Sequence, residues 1–129
     1  MGQAARMRVL LVDDDQTFLV TATEVLDADG RLQVVGAAHD GDEALALVDR
    51  SEPDLVLMDI GLPLRDGVEV TRLIRARRPE LPVVMLTGQT GRAVSEAAAA
   101  VGAIGYLQKE ELGTPEFADS LLALVELSS

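Results

Sequence analysis

The sequence predicts an α/β fold, a three-layer α/β/α sandwich around a five-stranded parallel sheet, and three observations carry that expectation. Short apolar runs recur along the 129-residue chain at residues 9–12, 34–38, 55–58, 83–86 and 104–107. None alternates polar with apolar side chains, so each reads as a strand covered on both faces. A stretch of helical periodicity follows every run, and β-α-β crossovers of one hand stack helices on both sides of a sheet. Such an open doubly wound sheet, in the order 2-1-3-4-5, binds its ligands beyond the carboxyl ends of the strands.

Each element has its own local signals. The first strand runs into Asp13, Asp14 and Asp15, and the helix at residues 15 or 16 to 28 sets Phe18, Ala22, Val25 and Leu26 on one face. Gly30 is expected to stop it in a left-handed conformation. The second helix, residues 42–50, buries Ala44, Leu45, Leu47 and Val48 and must end before Pro53. Asp66, with Glu69 three residues on, reads as a capping pair for a third helix that halts at Pro79. An alanine-rich fourth helix begins at Thr90 or Gly91 and closes at Gly102. Thr114 is expected to cap the last helix, with Pro115 in its first position and Phe117, Leu121, Leu124 and Val125 as its buried stripe.

Composition excludes several classes of function. With 11 basic and 22 acidic residues the net charge is −11, which repels phosphate backbones and argues against direct contact with nucleic acid. The absence of cysteine removes disulfides, thiolate-bound metals and thiol nucleophiles, and fits a reducing cytoplasm. The longest largely apolar uncharged run, residues 97–107, is far short of the ~20 residues that span a bilayer. The N-terminal residues carry neither a signal core nor a myristoylation pattern. The expectation is one soluble, cytoplasmic domain over residues 1–129, with its core at about 8–127 and no membrane association.

The residues just past each strand concentrate the chemistry: Asp13, Asp14 and Asp15, then His39 and Asp40, then Asp59, Thr87 and Lys109. If the first and third strands are neighbours, Asp13, Asp14 and Asp59 converge, and carboxylates that close repel one another unless a cation intervenes. Oxygen-only, charge-dense ligation suits Mg²⁺. Lys109 is the sole lysine beside ten arginines, a compact point charge suited to a single phosphoryl oxygen. His39 reads as a solvated loop residue, and Arg65, Arg72, Arg75, Arg77 and Arg78 as a hydrated helix face. Ala97, Ala98, Ala99 and Ala100 read as a close helix–sheet contact.

Taken together, Leu10-Leu11-Val12-Asp13-Asp14-Asp15, Asp54-Leu55-Val56-Leu57-Met58-Asp59, Pro63, Gly67, Val83-Val84-Met85-Leu86-Thr87-Gly88 and Gly105-Tyr106-Leu107-Gln108-Lys109 resemble the receiver domains of bacterial two-component response regulators. The resemblance implies a flavodoxin-like, CheY-like fold and a phosphoacceptor rather than an enzyme, one that assists its own phosphorylation and dephosphorylation. Asp59 would be phosphorylated by a sensor histidine kinase or phosphotransfer protein, and Mg²⁺ would be arranged by Asp13, Asp14, Asp59 and the backbone carbonyl of Gly61. Thr87 and Lys109 would grip the phosphoryl group, while Tyr106 would report the switch on the face made by the fourth helix, fifth strand and fifth helix. Gly61 and Gln89 flank the route of an attacking water and are expected to tune dephosphorylation. Glu110, where receivers commonly carry a cis proline, is similar to receivers of NarL/LuxR-type regulators. Their output domain is not in these residues, so DNA would be reached only through it, and a homodimer fits the family.

Two other classes compete. Asp13-Asp14-Asp15-Gln16-Thr17 also fits the Asp-x-Asp-x-Thr motif of haloacid-dehalogenase-type phosphatases, with Asp13 as nucleophile and Thr87 and Lys109 following in order. That reading lacks a later acidic motif and leaves Asp59 idle. A nucleotide or flavin module lacks both a glycine-rich loop after the first strand and, with aromatics at 2%, rings to stack on. A receiver acting without phosphorylation, purely as an interaction domain, is a further reading, against which the presence of all the expected chemical residues counts.

Overall fold

The computed structural model describes residues 6–62, 67–88 and 92–128. In chain order the elements are β1 (Met7–Val12), α1 (Gln16–Asp27), β2 (Leu32–Ala38), α2 (Gly41–Ser51), β3 (Leu55–Asp59), α3 (Gly67–Arg77), β4 (Val83–Thr87), α4 (Arg92–Ala100), β5 (Gly105–Gln108), a 3-10 turn (Lys109–Gly113) and α5 (Glu116–Ser128). The five strands pair in parallel in the order β2-β1-β3-β4-β5, as the apolar runs predict.

The unbroken apolar runs follow from a core on each side of the sheet. Val9 and Leu11 pack with Leu19, Ala22 and Leu26 of α1 and with Phe117 and Leu121 of α5. Their neighbours Leu10 and Val12 face the other way, onto Ala44 and Val48 of α2, Val70 and Ile74 of α3, and Ala98 of α4. Ala98 is buried while Ala99 and Ala100 are exposed, so the alanine run makes a close contact on one face only.

Helix ends account for several sequence signals and correct others. Asp15 caps α1, its Oδ1 accepting from the backbone N–H of Thr17 at 3.0 Å and Phe18 at 3.3 Å. Gly30 is not the left-handed stop expected: α1 ends at Ala28 with φ −69°, whose N–H donates to Glu24 and Leu26, and among the described glycines it is Gly102 that has positive φ, at 87°. At the end of α2, Glu52 takes the left-handed position with φ 47°, just before Pro53. Thr114 does not cap α5 with its side chain. Its hydroxyl donates instead to Glu111 O at 2.7 Å, because the unforeseen 3-10 turn leaves that carbonyl within reach. Asp66, Pro63, Arg65, Gln89, Thr90 and Gly91 lie outside the described residues.

The described arginines on and after α3 are tethered, Arg72 and Arg77 exposed and Arg75 and Arg78 half-buried. Arg72 pairs with Glu69, Arg77 and Arg78 with Asp49, and Arg75 Nη1 donates to Leu81 O at 2.6 Å. Elsewhere, Arg31 binds Asp29 at 2.7 Å and reaches Asp119 at 3.0 Å, joining the α1–β2 connection to α5. The side-chain and backbone hydrogen bonds from Arg31 lower the Asp29 carboxyl from 3.8 to about 2. A depressed folded-state value means the pair's stability is in place above 3.8 and lost as pH falls through about 2. Asp29→Asn should therefore cost up to about 1 kcal/mol at neutral pH, the scale of an exposed pair, and progressively less in acid. Urea denaturation at stepped pH checks this, and an equal deficit at every pH would contradict it.

Candidate functional site

The sheet order puts the carboxyl ends of β1, β3, β4 and β5 side by side, and the acids and the lysine sit there. Asp13 follows β1 directly and is fully buried, and its Oδ1 accepts from the backbone N–H of Asp15 at 2.9 Å. Asp14 is exposed beside it. Asp59 closes β3 at 6% exposure, its Oδ1 accepting from the Gly61 N–H at 3.2 Å. One carboxylate oxygen from each of Asp13, Asp14 and Asp59 lies within 4.8 Å of the other two. The convergence expected from strand adjacency is present.

Lys109 enters from the start of the 3-10 turn. Its Nζ stands 2.5 Å from Asp13 Oδ2 and 3.4 Å from Asp59 Oδ2, with the Phe18 ring centroid 4.9 Å away. Burial opposes the ammonium, yet Asp13 and Asp59 together outweigh it and raise the lysine above its usual value. Asp59 is also raised, chiefly by burial and then by the Asp13 charge, against the lowering influence of the Gly61 N–H and of Lys109. Protonation of Asp59 and cation binding therefore compete for one carboxylate.

Other expected residues fall into place less directly. Thr87 ends β4, 2% exposed, in register with Gln108. Tyr106 pairs with Met85 across β4 and β5 and packs, half-buried, against the α2-α3-α4 core. Gly61 is exposed immediately past β3 and is tied to Asp59 through its N–H. Gln89 lies outside the described residues. His39 is exposed, as expected of a loop residue, but it is engaged: its backbone N–H donates to Glu43 at 2.6 Å and its ring contacts Glu43 and Gln16. The third aspartate of the run has a structural task, because Asp15 is the α1 cap. That use argues against a phosphatase in which Asp15 would be the general acid.

Two contacts have no counterpart in the sequence reading. Phe18 enters there only as a core residue, and the ring's place over Lys109 depends on a fold-level approach across 91 residues of chain. A Cβ on Gly67 would lie 2.1 Å from the Asp59 carbonyl oxygen, so α3 begins against the backbone of the acid itself.

A family model described as the response regulator receiver domain matches residues 9–118. The chain belongs to that family. PdtaR, a transcriptional regulatory protein of Mycobacterium tuberculosis, is 35% identical over 125 residues, 97% of this chain and 58% of that protein. A protein-glutamate methylesterase/protein-glutamine glutaminase of Anaeromyxobacter dehalogenans is 42% identical over 122 residues, 92% of this chain and 35% of the relative. The receiver thus spans about a third to three-fifths of the length of these relatives. Among solved structures, a LuxR-family response regulator from Aurantimonas sp. SI85-9A1 is similar with a TM-score of 0.87 and 30% identity, covering 95% of this chain and 86% of that one. The signal receiver domain of NarL from Mycobacterium tuberculosis gives 0.87 and 28%, covering 95% and 98%.

Receivers serve two-component signalling and bind Mg²⁺ at an acidic pocket, and the residues of this one fit that ion. The donors are hard oxygens, and Asp13 Oδ2 is buried without a hydrogen-bond partner among the described residues, held by its ion pair with Lys109 alone. Glu110 follows Lys109 where receivers commonly carry a cis proline, and no peptide bond among the described residues is cis. No helix among the described residues is long and apolar enough to cross a membrane.

Proposed function

We propose that Asp59 is the phosphoacceptor of a phosphorelay, modified in a Mg²⁺-dependent reaction by a sensor histidine kinase or phosphotransfer protein. One observation carries the reading: a nearly buried carboxylate at the end of β3 stands among two further acids with the chain's sole lysine opposite. A carboxylate Oδ of Asp59 attacks the phosphorus of a phosphohistidine. As the O–P bond forms the P–N bond breaks, its electron pair returning to the imidazole, which takes up a proton on release. Nucleophile and phosphoryl group are both anionic, and the cation held by Asp13, Asp14, Asp59 and the Gly61 carbonyl supplies the charge that offsets their repulsion. Lys109 contributes a second positive charge, set in place beforehand by Asp13, for the equatorial oxygens of the group in flight.

The product dianion offers acceptors to the Thr87 hydroxyl at the end of β4, and the inward shift of that loop opens room for Tyr106. Thr87 and Tyr106 lie on adjacent strands, so the change reaches the α4-β5-α5 face, where an output domain, a partner or a second copy reads it. Moving such a switch from mostly off to mostly on takes ~5.5 kcal/mol of differential contact. Gly61, two residues past Asp59, and Gln89, two past Thr87 in the sequence, tune the lifetime of the acyl phosphate. Residues 1–129 act as one cytoplasmic receiver unit that touches neither membrane nor nucleic acid itself.

Incubation with a small acyl phosphate and Mg²⁺, followed by intact-mass analysis, should give a single phosphoryl adduct that is absent from Asp59→Asn and from protein treated with a chelator. An adduct that persists in Asp59→Asn would overturn the assignment, and its location on Asp13 with turnover of phosphate monoesters would favour the phosphatase class.

A further inference from the structure

We propose that Phe18 is a positioning residue for Lys109, keeping the ammonium over the site when a divalent cation draws on the carboxylates; the inference rests on the phosphoacceptor reading above. The two anions that hold Lys109, Asp13 at 2.5 Å and Asp59 at 3.4 Å, both belong to the three-carboxylate group. A cation bound there would draw on the same two carboxylates that hold the ammonium, and two positive charges sharing them repel each other. The Phe18 ring, 4.9 Å from Nζ, is a contact of a different kind. It attracts a cation through its quadrupole, and it presents no oxygen for which Mg²⁺ would compete.

The ring is held independently of the lysine. The Phe18 backbone N–H is bound by the capping carboxylate of Asp15, and the half-buried side chain packs on the α1-α5 core. One short stretch, from Asp13 to Phe18, thus sets both the nearer of the two acids and the ring. Lysine brings a flexible four-carbon stem that would swing outward once its carboxylates were occupied. A leucine at position 18 would fill similar space without the electrostatic attraction.

Because Lys109 is the sole lysine, protein grown with ¹³Cε,¹⁵Nζ-lysine gives one side-chain signal. Titration with Mg²⁺ alone should leave the ring-current shift of the Lys109 ε protons in place. Phe18→Tyr should phosphorylate at the wild-type rate with the small acyl phosphate. Phe18→Leu, and phenylalanines of increasing fluorination placed at position 18 alone, should slow the reaction progressively to about three- to tenfold at unchanged thermal stability. Loss of the ring-current shift on Mg²⁺ addition, or equal rates across the fluorinated series, overturns the proposal. If wild type takes no phosphoryl group on Asp59, the phosphoacceptor reading is what fails, and the Mg²⁺ titration still decides whether the ring retains the ammonium.

Discussion

Gly67→Ala is expected to damage stability and chemistry together. The new Cβ would meet Asp59 O at 2.1 Å, Asp59 C at 2.8 Å and Ile60 Cα at 2.8 Å, all backbone atoms that cannot rotate aside. The same backbone is tied by the Gly67 N–H to Ile60 O at 3.0 Å, so relief must come from moving the end of β3 or the start of α3. Overpacking of this kind costs about 1–3 kcal/mol and sometimes more. The shifted atoms carry the Asp59 carboxylate, and misplacement by an ångström can lower a rate about a hundredfold. Gly30→Ala is the control, because nothing lies within 4 Å of a Cβ there and its φ is not positive. Chemical denaturation together with the phosphorylation rate tests the pair; Gly67→Ala behaving like Gly30→Ala would show that the contact with β3 is not rigid.

Lys109→Met should be the most destabilising change at the site in the absence of a divalent cation. The Asp13 and Asp59 side chains are 1% and 9% exposed, and the ammonium is the charge between them. Removing one member of a buried ionic cluster costs about 3–5 kcal/mol, because the remaining charges stay buried without compensation. The pH dependence follows from Asp59, raised first by burial and then by Asp13. An acid with a raised folded-state value binds its proton more tightly folded than unfolded, so stability falls as pH climbs from 3.8 through that higher value. Without Lys109 the value rises further, and the deficit of the variant should be larger at neutral pH than in acid. Saturating Mg²⁺ should restore more melting temperature to Lys109→Met than it adds to wild type, since it binds only the folded arrangement. Equal increments in the two proteins would mean that the lysine and the cation do not share the same acids.

Much of this arrangement is legible in the sequence because parallel strands are written as continuous apolar runs and their final residues are the ligand-facing ones. Asp59 and Thr87 could be placed by reading one residue past Met58 and Leu86, and Asp13, Asp14 and Lys109 within a few residues of their strands. What escapes are contacts set by the tertiary path. Gly67 carries no local signal for its approach to Asp59, and Phe18 looks like any core residue of an amphipathic helix. Helix ends depart from their local signals where the backbone has another solution: α1 closes on right-handed Ala28 without needing Gly30, and the hydroxyl of Thr114 serves the 3-10 turn before α5 begins.

The alternation of each strand between the two cores makes strand length a ruler for the chemistry. Leu55 and Leu57 face α1 and α5 while Val56 and Met58 face α2, α3 and α4, so the orientation of Asp59 is decided by counting residues. Inserting or deleting a single residue inside β3 would turn the Asp59 carboxylate through the sheet to the opposite layer. Surface connections can change in length without moving the carboxylate, but the interval from Leu55 to Asp59 is locked by the layer each of its side chains must enter.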